Sequence, residues 1–242
     1  MDISFWTRYN PKVAVDYTTK KYFGKYLYKL VVYAPAGRLI DSKGSIADGL
    51  EHRRVLNSNI TSSWWSERRN RDLANADVLF LEKLRDIRHN KSNNFKLRVE
   101  EPRVQIYANS IEELENLVID HFQLFPRTYI ETIAGPETEE QASILNSGAI
   151  IRKKNNGYNY KVILRDGRYG SELKRSVWQY LDNLGEGQAH IPIGSLDMLH
   201  SPSNYMWNVY FFVNDPGITS FLSLMHPGLV SNIHELVVVS DK

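Results

Sequence analysis

Val104-Gln105-Ile106-Tyr107-Ala108-Asn109-Ser110 and Val209-Tyr210-Phe211-Phe212-Val213-Asn214-Asp215 stand 105 residues apart, and their reading decides the fold. In each, apolar side chains alternate (Val104, Ile106, Ala108; Val209, Phe211, Val213), the period of a half-buried strand. Each strand runs into Asn followed by a residue that caps helices well, Ser110 or Asp215. A strand feeding a capped helix, met twice at domain-sized spacing, predicts two similar domains.

Outward from the first copy, residues 26–33 are aromatic and β-branched and end at Pro35 and Gly37, a strand signature. A short helix is predicted over 46–56. A long one is predicted over 63–88, where Leu73, Ala76, Phe80, Leu84 and Ile87 recur at helical spacing. Strands follow at 95–99 and 103–108. Ser110-Ile111-Glu112-Glu113 is a capping box, opening a helix with Leu114, Leu117, Val118 and Phe122 on one face. A strand over 127–133 closes the set. The second copy reads as a strand at 160–164, then a helix capped by Ser171 and stopped by Gly185. A weaker strand at 189–199 and a strong one at 207–213 come next. Asp215-Pro216 starts a helix with Ile218, Phe221, Leu222 and Met225 inward, and the last strand covers 236–239.

Both copies spell βαββαβ. The predicted class is α+β: tandem ferredoxin-like domains, each an antiparallel sheet with helices on one face. The predicted division is an N-terminal domain over 1–135 with a long basic helix insertion, a connector over 136–157, and a C-terminal domain over 158–242.

Composition bounds the function. The 42% hydrophobic and 24% charged residues are ordinary for a folded protein. There is no cysteine, which excludes disulfides and thiolate chemistry. No signal-peptide core opens the chain, and no apolar run reaches the roughly 18 residues of a membrane helix. A cytoplasmic protein without a membrane partner is expected. The net charge of +2 is unevenly spread: 20 Lys/Arg against 12 Asp/Glu in residues 1–103, and one Arg against eight acids in 104–151. A basic first part suits a polyanion, and the acidic stretch suits a protein partner.

Trp64-Trp65-Ser66-Glu67-Arg68-Arg69-Asn70-Arg71 sets two indoles and three guanidiniums at the front of a helix. Arg pairs with phosphate bidentately, and Trp offers bases a stacking surface that tolerates any sequence. The same residues also fit a plain structural role, with Trp65 in the core and the arginines paired to Glu67, Asp72 and Asp77. The open sheet faces are the second candidate. With Leu30, Val32, Val104 and Ile106 inward, Tyr33 and Tyr107 point outward; with Val162, Leu164, Val209 and Phe211 inward, Lys161, Ile163, Arg165, Tyr210 and Phe212 do. Aromatic residues beside bases on such a sheet are how RRM-type modules stack RNA, although the consensus RNP1 string is absent. For Phe212 and Ile163, packing of the two faces against each other or against a partner is the favoured alternative. The expected nucleic-acid-binding set is Arg53, Arg54, Trp64, Arg68, Arg69, Arg71, Tyr33 and Tyr107.

Enzyme signatures are poor. There is no HExxH, GxSxG or P-loop, the histidines lack metal-ligand spacing, and no metal or cofactor is expected. Glu100 and Glu101 are adjacent, so on a strand they face opposite ways. Gly167-Arg168-Tyr169-Gly170 has the GXXG form but joins a strand to a helix, the wrong place for a KH loop. In its expected tandem domains and length, the chain resembles CRISPR repeat-processing endoribonucleases. That resemblance implies a histidine general base near the first helix, where His52 stands beside Arg53 and Arg54. The family's glycine-rich loop near the C-terminus is missing. The expected function is therefore a non-catalytic accessory protein binding RNA or single-stranded DNA. The alternatives are a protein-interaction or assembly factor, whose aromatic, Asn-rich, Cys-free composition would suit a phage or virus, and the endoribonuclease.

Overall fold

In the computed structural model, the described residues are 2–59, 64–90, 94–185 and 187–239, without the side chains of residues 64–66, 68 and 69. The chain divides into two compact units, residues 1–142 and 143–242. The fold is mixed α+β, with a five-stranded mixed sheet in each unit.

The first unit opens with α1 (Ser4–Tyr9) and β1 (Ala14–Tyr17), followed by β2 (Tyr28–Tyr33). Helices α2 (Ile46–Ser58), α3 (Trp64–Ala74) and α4 (Val78–His89) precede the hairpin of β3 (Lys96–Glu100) and β4 (Arg103–Ala108). Then come α5 (Ile111–His121) and β5 (Ile130–Gly135). The sheet order is β1-β5-β2-β4-β3. The four strands β5, β2, β4 and β3 are antiparallel to their neighbours, and β1 lies parallel on β5 at the edge. Leu30, Val32, Val104 and Ile106 are fully buried, joined in the core by Phe80, Leu84, Leu114 and Val118 from α4 and α5.

The second unit repeats the plan. After α6 (Glu139–Asn146) come β6 (Ile150–Arg152), β7 (Tyr160–Leu164), β8 (Gly167–Arg168) and α7 (Ser171–Asp182). Next are β9 (Ala189–His190), α8 (Ile193–His200), β10 (Tyr205–Met206), β11 (Tyr210–Val213), α9 (Thr219–Met225) and β12 (Val230–Val238). The order is β6-β12-β7-β11-β9, with β6 parallel to β12 at the edge; β8 and β10 pair separately. Val162, Leu164, Val209 and Phe211 are buried with Val177, Leu181 and Leu222.

Several expectations are corrected. The sheets are mixed and five-stranded, not antiparallel and four-stranded. The added strands are short edge strands of four and three residues, too brief for a period of two to be read. β1 is held by buried Asn10 just before it, whose Nδ2 donates to Ile130 O at 2.7 Å. β6 falls inside 136–157, the stretch read as a connector. The long helix over 63–88 is two helices. Asp77 leaves helical geometry and accepts the Phe80 N–H at 3.2 Å, so it caps α4 rather than pairing with an arginine. Residues 193–200 are helical, not strand. Ser171 is the first residue of α7 rather than its cap; Gly170 holds the N-cap position with no side chain to offer. Phe221 is 48% exposed and stacks on Tyr180 at 4.5 Å instead of entering the core. The capping box at Ser110 forms, with Ser110 and Glu113 each accepting the other's backbone N–H at 3.2 Å.

Candidate functional site

The basic residues of the first unit are largely engaged by their own fold. Arg53, on α2, meets Glu101 at 2.8 Å, and the Arg38 N–H donates to the same carboxylate at 3.0 Å. Arg54 donates to Leu73 O at 3.2 Å and lies 3.7 Å from Glu51. Arg85 donates to Leu39 O, Arg98 pairs with Glu100 at 2.7 Å, Arg88 with Asp41 and Arg103 with Glu131. Most of these pairs are half-exposed and contribute little to stability, but they draw positive charge away from any external phosphate. Arg71 and His52 are exposed. The side chains of Trp64, Arg68 and Arg69 lie outside the described residues.

Arg53 and Arg38 line a cleft of ≈ 540 Å³ over Pro35, Ala36 and Leu73, opposite Asp72 and Glu101. Tyr33 stands nearby, its hydroxyl donating to Asp72 Oδ1 at 3.2 Å. Burial, and then the Asp72 carboxylate, push the Tyr33 pKa up. The structure thus brings Arg53 and Asp72 to one cleft whose two guanidiniums face two carboxylates. That balance does not favour a phosphate.

Tyr107 is buried, not displayed. Residues 18–27 fold back over its face of the sheet, and Tyr22, Phe23 and Tyr26 meet its ring at 5.3, 5.0 and 6.3 Å. The ring expected to stack an incoming base is covered by these three aromatic residues.

The second sheet presents its aromatic face differently. Strand pairing sets His190, Phe212, Lys161 and His234 in one row across four strands, on one face. Phe212 stacks with His190 at 6.1 Å and with Tyr158 at 6.4 Å, and Tyr210 meets it edge-on at 5.7 Å. The Lys161 ammonium lies 3.7 Å from the Tyr210 ring centre, and the Arg152 guanidinium 5.3 Å from that of Phe212. His190 is exposed, while Tyr158, Lys161, Tyr210 and Phe212 are half-buried. The carboxylate in these five strands, Glu235, pairs with Tyr160 in the opposite phase and so lies on the other face.

The two units share this row position by position. Lys29 pairs with Tyr107, which pairs with Lys96; Lys161 pairs with Phe212, which pairs with His190. Tyr26 and Tyr158 each stand three residues before the lysine, within 6.3–6.4 Å of the central ring. A sequence signal for this was present. Tyr26-Leu27-Tyr28-Lys29 and Tyr158-Asn159-Tyr160-Lys161 are the same Tyr-X-Tyr-Lys string at the start of the first antiparallel strand. Tyr158, His190 and Arg152 join Lys161, Tyr210 and Phe212 on this face, and the reading of the outward set did not include them.

Among the described residues no cluster of three or more His, Asp or Glu side chains is placed to hold a metal ion, and no helix is long and apolar enough to cross a membrane. No protein-family model matches the chain, and no curated protein is detectably similar to it in sequence.

Proposed function

We propose that this protein binds single-stranded nucleic acid, RNA or DNA, without cleaving it, and that the open sheet face of residues 143–242 is the contact surface. The observation that carries the reading is the row His190–Phe212–Lys161, flanked by Tyr158, Tyr210 and Arg152. Rings on a sheet give bases a stacking surface, cations beside them meet the phosphates, and the five strands place no carboxylate on this face. The same reading takes each unit as a ferredoxin-like domain with one added edge strand. The orders β5-β2-β4-β3 and β12-β7-β11-β9, antiparallel throughout, support it. The arginines of residues 53–103 take a lesser part here than their number suggests, because most of those described are paired internally.

The test is titration of labelled oligouridylate and oligothymidylate at several salt concentrations. Phe212→Ala is expected to weaken binding by about 1–3 kcal/mol, the range for one stacked base, with the salt slope unchanged. Lys161→Gln is expected to lower the slope of log affinity against log salt by about 0.7, one phosphate on a single strand. A wild-type chain that binds neither oligomer ends this reading and leaves the face to a protein partner. Incubation of RNA oligomers with the protein, with and without divalent metal, is expected to give no cleavage. Cleavage abolished by His52→Ala would establish the endoribonuclease instead.

A further inference from the structure

The first unit supplies an aromatic residue of its own to the face that the second unit leaves open. Phe23 stands edge-on to Tyr107 at 5.0 Å, and Lys96 Nζ lies 3.6 Å from the centre of the Phe23 ring. Tyr22 meets Tyr107 at 5.3 Å, with Lys29 Nζ 5.3 Å from its centre. Tyr107, Lys29 and Lys96 are the register counterparts of Phe212, Lys161 and His190. Phe23 and Tyr22 therefore occupy, on the first unit, the place a base takes on the second.

This cover is a short turn. It hangs between two fixed points: Thr18, whose N–H donates to Gly135 O at 2.9 Å, and buried Leu27. Between them the turn is closed by Tyr22 N–H to Tyr26 O at 2.8 Å and Tyr26 N–H to Tyr22 O at 3.0 Å. Phe23 is 50% exposed and carries φ 55°, a left-handed conformation disfavoured for any residue with a Cβ. Lys20 and Lys25 are exposed on the turn itself, so an approaching polyanion meets positive charge there first.

We infer that residues 20–25 are an intramolecular cap over a second base-stacking face on the first unit, and that a single strand gains this face by displacing Phe23 from Tyr107 and Lys96. The inference rests on the stacking role proposed for Phe212. Its test uses the full chain, octamers of uridine and of thymidine, and melting curves to establish that each variant folds. Phe212→Ala is expected to reduce affinity roughly tenfold, the loss of one stacked base. Adding Phe23→Ala is expected to recover most of that loss, and adding Tyr107→Leu to remove the recovery. A double variant binding no better than Phe212→Ala overturns this inference alone. Wild-type affinity in Phe212→Ala overturns the stacking role and this inference with it. Hydrogen exchange on the wild type gives an independent reading. The Tyr22 and Tyr26 amides are expected to exchange at least several-fold faster with saturating octamer; unchanged or slower exchange counts against the cap. Recovery with only one of the two octamers identifies which nucleic acid the face takes.

Discussion

Replacing Lys174 by methionine is expected to destabilise residues 143–242 by about 2–4 kcal/mol, the cost of leaving three buried carbonyls without their donor. Lys174 lies on α7 with 1% of its surface exposed. Its ammonium donates to Met198 O at 3.2 Å, to Ser203 O at 2.8 Å and to Ser201 O, which uses all three of its protons. No carboxylate is needed: three carbonyl dipoles at and just beyond the C-terminal end of α8 stabilise the charge, as helix C-termini do. The contact ties α7 to the segment that leads into β10. Methionine keeps the stem's volume but leaves three inward-facing carbonyls without a donor, each costing about 1–3 kcal/mol before water or relaxation repairs part of the loss. Arginine is not a substitute, because its planar fork cannot reach three carbonyls arranged around a point. Urea unfolding followed by tryptophan fluorescence checks the expectation. A loss below about 1 kcal/mol would mean that the ammonium escapes to solvent along its stem.

Phe211→Ala is expected to cost about 3–5 kcal/mol, the range for emptying a large aromatic site in a core. Phe211 has no exposed surface and packs on the inner face of β11, paired with Val162. Phe221→Ala, in the same unit, is expected to cost about 1 kcal/mol, the worth of an aromatic pair beyond its buried area. Phe221 is 48% exposed, and its main contact is the stack on Tyr180. Side-by-side denaturant titrations decide the matter through midpoints at equal slope. Equal losses for the two phenylalanines would contradict the assigned faces of β11 and α9. The adjacent Phe212→Ala provides a third comparison. It is expected to cost about 1–2 kcal/mol, the worth of its ring contacts on the half-buried face and clearly less than Phe211→Ala, while weakening oligonucleotide binding.

What the sequence by itself determined was local. Alternation of Leu30 and Val32 against Val104 and Ile106 set the inner faces of central strands, because burial of one sheet face dictates a period of two. The Ser110–Glu113 box and the Asp215 turn were legible because each cap and its partner lie within three residues. The aromatic face of the second unit was legible as an outward set, but its favoured reading there was packing. The remainder depended on partners far along the chain. Arg53 reads as a phosphate contact until Glu101, 48 residues later, is found on it. Tyr107 reads as an open ring until Tyr22, Phe23 and Tyr26 are found folded over it. Nothing in the sequence around Lys174 marks it as buried; three carbonyls from 198–203 hold its ammonium there. The edge strands β1 and β6 are too short to announce themselves and exist because β5 and β12 offer them unpaired backbone. Spacing along the chain specifies which face a residue takes within its element. What then covers that face, and which charges are neutralised on it, is fixed only when distant segments pack, and in this protein that difference separates a buried central ring, Tyr107, from a half-buried one, Phe212, beside the same Tyr-X-Tyr-Lys string.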